Sequence, residues 1–146
     1  MENNIENESY KKLKKLIELA VLNTGESWDA IDEELPQCAN DESFLNWARL
    51  NLNNENSGLR DLSATVLEKS NCNLVDENIK NLEVLMNEDD ENPYPSFRAA
   101  CALASRYPDK RIKAIDNEIL ARLNEFISDT SVGDIAKKYI NKIKPK

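Results

Sequence analysis

The segment from residue 92 to residue 104 has the sequence NPYPSFRAACALA, a polar turn with two prolines followed by an apolar run. Pro93 and Pro95 favour a helix start at this point, because proline has no backbone N–H to donate to a preceding helical turn. The run after Pro95 contains four alanines and no glycine, a composition that favours a helix with closely packed neighbours. The segment therefore predicts a turn that leads into a buried helix.

The same arrangement recurs on both sides of this segment. Upstream, an Asn-rich stretch over residues 51–56 precedes an apolar pattern that starts at Leu59, and downstream a turn over 128–130 precedes one that starts at Val132. The spacing is 38 residues from Leu59 to Phe97 and 35 residues from Phe97 to Val132. A period of this size is typical of a helical solenoid built from stacked hairpins. The predicted hairpins span residues 41–74, 75–109 and 110–144. In the third hairpin, the first helix is predicted to be continuous over residues 112–127.

The residues before the first hairpin predict a leading helical pair over 9–40. Ser9 is a candidate N-cap for a helix that ends at 23–25, and Ser27 is a candidate N-cap for a short acidic helix that breaks near Pro36. The chain of 146 residues has only three glycines and five valines, which is poor material for strands. The predicted fold is a single all-α domain over 1–146, a short α–α superhelix of about three hairpins plus the N-terminal pair.

Residues 92–104 also resemble the turn and second helix of a HEAT repeat. In that motif a turn of Asp, Asn and Pro leads into a branched or aromatic residue, then arginine, then small residues. The stretch LRDLSA at 59–64 resembles it more loosely, and SVGDIA at 131–136 has Gly133 where arginine is expected. The resemblance to HEAT-repeat, armadillo-type α-solenoids covers residues 41–144. It implies a concave binding face, usually without catalysis, and hydrogen bonds between successive turns for Arg60 and Arg98.

Charge divides unevenly along the chain. Residues 1–95 carry 8 basic and 21 acidic groups, whereas residues 96–146 carry 11 basic and 6 acidic groups, within a net charge of −8. An acidic balance opposes general nucleic-acid binding, because lysine and arginine supply most of the affinity for phosphates. It favours a basic protein as partner, since complementary fields raise association rates.

The residue types in the chain disfavour several kinds of catalytic and metal-binding chemistry. The chain has no histidine, which excludes histidine-based triads and histidine-ligated metal sites. Cys38, Cys72 and Cys101 are far apart and form no CxxC pair, so they are expected to be small buried hydrophobes. The acidic stretch over 88–92 lacks the alternating ligands and central glycine of a calcium loop. We therefore expect no enzymatic activity, no metal and no cofactor.

These observations predict a non-enzymatic protein that binds a basic protein partner through an acidic surface. A toxin inhibitor or immunity-type protein, which masks a basic and nucleic-acid-cleaving partner, is the most concrete form of this hypothesis. The predicted contact residues are a candidate aromatic anchor, Trp28, and groups expected on outward positions of a returning helix or on one turn, namely Asp61, Glu68, Asp89, Asp90, Glu91 and Tyr94.

Two alternatives stay open. The first is a nucleic-acid-associated HEAT-like protein that uses the basic C-terminal third, where Lys137, Lys138, Lys142, Lys144 and Lys146 cluster. The second is a lyase or chaperone for a cofactor, which needs a groove lined by Trp28, Tyr94 or Tyr107. The polar start of the chain and the lack of a long apolar run predict a cytoplasmic protein that does not enter a membrane.

Overall fold

Helices are the regular elements of residues 4–144, the part of the chain that the computed structural model describes; side chains are described for residues 8–144. The elements are α1 (Asn4–Leu22), α2 (Gly25–Glu34), a 3₁₀ turn (Leu35–Gln37), α3 (Glu42–Leu50), α4 (Ser57–Lys69), α5 (Asp76–Met86), α6 (Tyr94–Ala104), α7 (Lys110–Lys113), α8 (Asp116–Asn124) and α9 (Gly133–Ile143). No strand occurs in this range. The prediction of an all-helical chain is confirmed for these residues.

The chain divides into two compact units, Met1–Asn73 and Leu74–Lys146. The first unit holds α1 to α4 and the second holds α5 to α9. The division lies one residue before the boundary predicted between the hairpins 41–74 and 75–109.

In the first unit, α1 contacts α2, α3 and α4, and α3 also packs against α4. The buried stripe of α1 contains Leu13, Leu16 and Ala20, whose spacings of three and four residues place them on one helical face. Gly58 of α4 sits directly over the backbone of α1, because a Cβ at this position would lie 2.0 Å from the carbonyl oxygen of Ala20. A side chain at residue 58 is thus incompatible with this approach of the two helices.

Two serines expected to cap helices have different roles. Ser9 lies inside α1, where its hydroxyl donates to Asp41 Oδ2 at 3.1 Å and shares a short hydrogen bond with Ser43 Oγ. The N-cap of α2 is Thr24, whose hydroxyl accepts from the Ser27 backbone N–H, while Ser27 Oγ accepts from the Thr24 N–H. Ser27 is therefore the third helical residue of a capping box, a role that the spacing Thr24-x-x-Ser27 could have indicated.

Arg60 stabilises the turn between α3 and α4. Its Nη1 donates to the backbone carbonyl oxygens of Asn54 at 2.8 Å and Glu55 at 3.1 Å. These two bonds lie within the turn of its own hairpin, whereas the resemblance implied bonds between successive turns. A guanidinium that bonds two carbonyls fixes the loop backbone that leads into α4.

In the second unit, α6 contacts α5, α8 and α9. Its residues from Pro95 to Ala104 are all buried, as expected for a helix without a polar face. The Phe97 ring, fully buried, packs against Phe126 with ring centroids 4.6 Å apart. The prediction that residues 92–104 form a turn and a buried helix is confirmed.

The first helix of the third predicted hairpin is broken. The expected continuous helix over 112–127 is divided into α7 and α8 by Ile115, whose backbone has the non-helical angles φ −122° and ψ 20°. Asp109 caps α7 by accepting a hydrogen bond from the Arg111 backbone N–H at 2.8 Å. Phe126 follows the end of α8 but remains buried against α6.

Candidate protein-binding site

The predicted contact residues fall in three places. Trp28 lies on α2 in the first unit, and Asp61 and Glu68 lie on α4 of the same unit. The run from residue 89 to residue 91 lies in the turn between α5 and α6 of the second unit, and Tyr94 begins α6. Residues 89–91 and Tyr94 are brought together around one turn, whereas Trp28 lies on a different helix from Asp61 and Glu68.

Asp61 and Glu68 do not face solvent. Each has a relative exposure of only 5%, so the prediction that they occupy outward positions is wrong. Asp61 accepts a hydrogen bond from Thr65 Oγ1 at 3.2 Å, and Glu68 Oε2 lies 3.7 Å from Lys69 Nζ. The physical reason is that α4 is buried from residue 60 to residue 68 on all sides, so it has no outward face. Both carboxylates are therefore part of the folded interior.

The acidic turn, defined here as residues 88–91, presents carboxylates to solvent. Asp89, Asp90 and Glu91 are exposed, and the Asp89 side chain has a relative exposure of 95%. The backbone N–H of Glu91 donates to Asp90 Oδ1 at 2.7 Å, which orients the Asp90 carboxylate along the turn. Three consecutive carboxylates thus project from a short connection whose two ends are fixed by α5 and α6.

Tyr94 anchors the second end of this turn. Its hydroxyl donates to Asp129 Oδ2 at 2.9 Å, and its ring lies 6.0 Å from that of Phe126, measured between centroids. Asp129 also accepts from the backbone N–H groups of Ser131 and Val132. These bonds, with that of Tyr94 the largest contribution, lower the pKa of Asp129. The hydroxyl of Tyr94 is engaged in an intramolecular hydrogen bond at a partly exposed site, so Tyr94 acts as a positioning residue for the turn.

Arg122 holds the first end of the turn, a role that the sequence did not reveal. Its Nε donates to the carbonyl oxygen of Met86, the last residue of α5, at 2.9 Å. Its Nη1 lies 3.1 Å from Glu125 Oε2, and its Nη2 lies 3.7 Å from Asp89 Oδ1. A carbonyl at a helix C-terminus needs such a donor, but which arginine supplies it depends on the packing of α5 and α8.

The first unit has a second acidic surface, on α2. This helix carries five carboxylates in ten residues and no basic residue. Its acidic face, defined here by Glu26, Asp29, Asp32 and Glu33, is exposed. Trp28 lies at the edge of this face, partly exposed, and its Nε1 donates to Asn23 Oδ1 at 2.7 Å. The hydrogen bond fixes the indole ring beside the carboxylates.

Two of the three cysteines are buried, as expected, and the third is not. Cys38 and Cys101 are buried, Cys72 is partly exposed, and none of the three forms a disulfide. Burial raises the pKa of Cys38 to about 11, with a further contribution from the carboxylate of Asp41. A thiol with this pKa is almost entirely protonated at neutral pH and is a weak nucleophile. Within the side chains described, no group of three or more Cys, Asp or Glu residues has an arrangement that could hold a metal ion.

The chain matches no known protein family, no curated protein and no solved structure. Across residues 4–144, no helix combines the length and apolar character that a membrane span requires.

Proposed function

We propose that this chain is a non-catalytic protein-interaction module that binds a basic protein through exposed carboxylates. The observation that carries the proposal is the acidic turn, in which Asp89, Asp90 and Glu91 are exposed in sequence on a fixed connection. Exposed carboxylates of this density attract lysine and arginine side chains and accelerate encounter with a positively charged surface.

The anchors at both ends of the turn support this role. Arg122 bonds to the carbonyl of Met86 before the turn, and Tyr94 bonds to Asp129 after it. A connection held in this way loses less conformational freedom on binding than an unrestrained loop of the same length. Preorganisation of this kind favours a steering and docking role over that of a simple solubilising surface.

Trp28 and the acidic face of α2 form a second contact surface in the proposal. A partly exposed tryptophan fixed by Asn23 offers a large apolar area with little entropy to lose, and aromatic residues of this type are common binding hot spots. The neighbouring carboxylates would pair with basic groups around the site that receives the indole. This surface belongs to the first unit and the acidic turn to the second.

The proposed architecture is a HEAT-like α-solenoid. The packed pairs α3–α4, α5–α6 and α8–α9 correspond to the three predicted hairpins, and α1–α2 corresponds to the leading pair. The more specific functional proposal is an inhibitor or immunity-type protein in the cytoplasm, whose basic target is a nucleic-acid-cleaving protein. Masking such a target requires acidic groups that imitate phosphates, and carboxylates on a fixed turn meet this requirement.

The proposal is tested by capture and kinetics. The immobilised chain is incubated with native cell extract at low and moderate salt, bound proteins are identified by mass spectrometry, and association rates are measured with the purified partner. We compare the wild type with the variant Asp89→Asn/Asp90→Asn/Glu91→Gln. The control, Glu8→Gln/Glu18→Gln/Glu55→Gln, has the same change of net charge at exposed sites elsewhere.

We expect a basic protein to be retained at moderate salt, and its association rate to fall several-fold more in the turn variant than in the control, because local charge steers the encounter. Equal association rates for the two variants would remove the acidic turn from the binding site. Capture of only neutral or acidic proteins would refute the proposal of a basic partner.

A further inference from the structure

Two cations bond to the residue that follows α6 in the second unit, and a third lies near one of them. Lys142 of α9 donates from Nζ to the carbonyl oxygen of Ser105, the residue after α6, at 2.7 Å. Arg106, the next residue in the chain, donates from Nη1 to Ser105 Oγ at 2.6 Å. Lys138 lies one helical turn before Lys142, on the same exposed side of α9, with its Nζ 4.9 Å from the Tyr139 ring centroid. The hydrogen bonds to Ser105 fix two of the three side chains.

The electrostatics of this cluster favour an anion. The pKa of Lys142 is lowered, first by partial burial and then by the positive charges of Arg106 and Lys138. A lysine disfavoured in its charged form by neighbouring cations gains more from a bound anion than an isolated lysine does. Arg106 and Lys142 both bond to the single residue Ser105, and Lys138 is near enough for its charge to lower the pKa of Lys142.

We infer that Arg106, Lys138 and Lys142 form a phosphate-binding site, and that its ligand is the phosphate backbone of a single-stranded nucleic acid. Further exposed cations occur in the same part of the chain, namely Lys110 and Lys113 on α7 and Lys137 and Lys144 on α9 or beside it. Several exposed cations in one unit suit a polymer with many phosphates better than a compound with one phosphate. Tyr107 is partly exposed next to Arg106 and offers a ring on which a base can stack.

This site is independent of the proposed binding to a basic protein. It uses none of the carboxylates of the acidic turn, and its cations lie after α6 and on α9, whereas the turn lies between α5 and α6. Loss of one activity therefore leaves the other to be measured.

The test is fluorescence anisotropy with a labelled single-stranded oligonucleotide over a series of salt concentrations. We compare the wild type with Lys138→Gln and with Lys138→Gln/Lys142→Gln, and we monitor folding by thermal melting because Lys142 also caps α6. The single variant leaves this cap intact. The control, Lys11→Gln/Lys14→Gln, removes two exposed lysines of α1 and so matches the change of net charge.

We expect the double variant to bind about tenfold more weakly than the control at low salt. Its plot of log affinity against log salt should be shallower by about 1.4, since each phosphate contact on a single strand contributes roughly 0.7 to the slope. Lys138→Gln alone should show about half of this change in slope, which a purely structural role of Lys142 would not produce.

Three results would overturn the inference. The first is an affinity and a slope in the double variant that equal those of the control. The second is binding of inorganic phosphate alone, measured by its effect on the thermal midpoint, without binding of the oligonucleotide. The third is salt-sensitive self-association of the wild type by light scattering, lost in the double variant, with no oligonucleotide bound, because the acidic ligand would then be a second copy of this chain.

Discussion

At the scale of single residues, Gly58 shows how one side chain controls the packing of two helices. A Cβ at this position would lie 2.0 Å from the carbonyl oxygen of Ala20, a distance that no pair of non-bonded atoms tolerates. We expect Gly58→Ala to separate α1 from α4 and to lower the free energy of unfolding by about 1–3 kcal/mol, as overpacked cores typically do. Urea denaturation followed by circular dichroism measures this change.

Gly25→Ala is the matched control for this substitution. Gly25 also lies in the first turn of a helix, but no atom within 4 Å would meet its Cβ. Alanine at this site should leave the stability unchanged or raise it by roughly 0.4–1 kcal/mol, because it restricts the unfolded chain. Equal effects of the two substitutions would show that helix propensity, and not the contact with Ala20, decides the outcome.

Single residues also show where the sequence is sufficient to predict whether a side chain is buried and where it is not. The burial of Phe97 was predictable, because it follows a proline-containing turn and begins an apolar helical pattern. The burial of Asp61 and Glu68 was not, because a carboxylate in a helical pattern predicts a solvated face. Both are interior because α4 is covered on every side, and one sequence cannot show how many neighbours a helix has.

At the scale of elements, two facing glutamates connect α5 and α8. Partial burial is the main cause that raises the pKa of Glu83, and the charge and hydrogen bond of Glu118 raise it further. Because the pKa of Glu83 is higher in the folded state, folding favours its protonated form. The resulting contribution to stability is complete below the usual pKa of 4.5, and it is lost as the pH rises through the pKa of Glu83 in the folded protein. At neutral pH the two carboxylates therefore repel each other.

We expect Glu83→Gln to stabilise the protein at neutral pH, because the amide can bond to Glu118 without repulsion. The gain over the wild type should disappear in acid, where Glu83 is protonated in both states. Thermal melting of the two proteins between about pH 4 and pH 7 measures the difference. Glu18→Gln, at an exposed site on α1, is the control, and a gain of equal size in that variant would exclude the specific pair as the cause.

Most helices were predictable as elements, but their boundaries and breaks were not. The turns at 23–25, 51–56 and 128–130 contain Asn, Asp, Gly, Ser or Thr, residues that favour turns for local reasons. The break at Ile115 is followed by Asp116 and Asn117, which favour turns and helix starts, but the apolar pattern that continues across it masks this signal. The acidic turn was located correctly from residue types, whereas its anchors, Arg122 on α8 and Asp129 in the turn between α8 and α9, depend on tertiary packing.

At the scale of the whole molecule, acid protonates every carboxyl group. The groups with lowered pKa values decide the pH at which stability is lost. Hydrogen bonds from Arg111 lower the pKa of Asp109 to about 2. Several hydrogen bonds lower the pKa of Asp129, and the bond from the Tyr94 hydroxyl contributes most. Because the pKa values of these two groups are lower in the folded state, folding favours their charged forms. The resulting contribution to stability is present above the usual pKa of 3.8, and it is lost as the pH falls through the pKa of each group in the folded protein. Both groups should therefore contribute to the acid unfolding of the chain.

Tyr94→Phe isolates the contribution of Asp129 to acid resistance of the whole chain. The substitution keeps the ring beside Phe126 and removes only the hydroxyl that donates to Asp129. We expect it to lower the free energy of unfolding by about 1 kcal/mol at neutral pH, the usual net value of one hydrogen bond. The deficit should shrink as pH falls through the folded pKa of Asp129, because the protonated carboxyl is a weaker acceptor. Urea unfolding at a series of pH values, followed by far-ultraviolet circular dichroism, measures both effects. A deficit that is the same at every pH would mean that the Tyr94 hydroxyl stabilises the chain independently of the charge of Asp129.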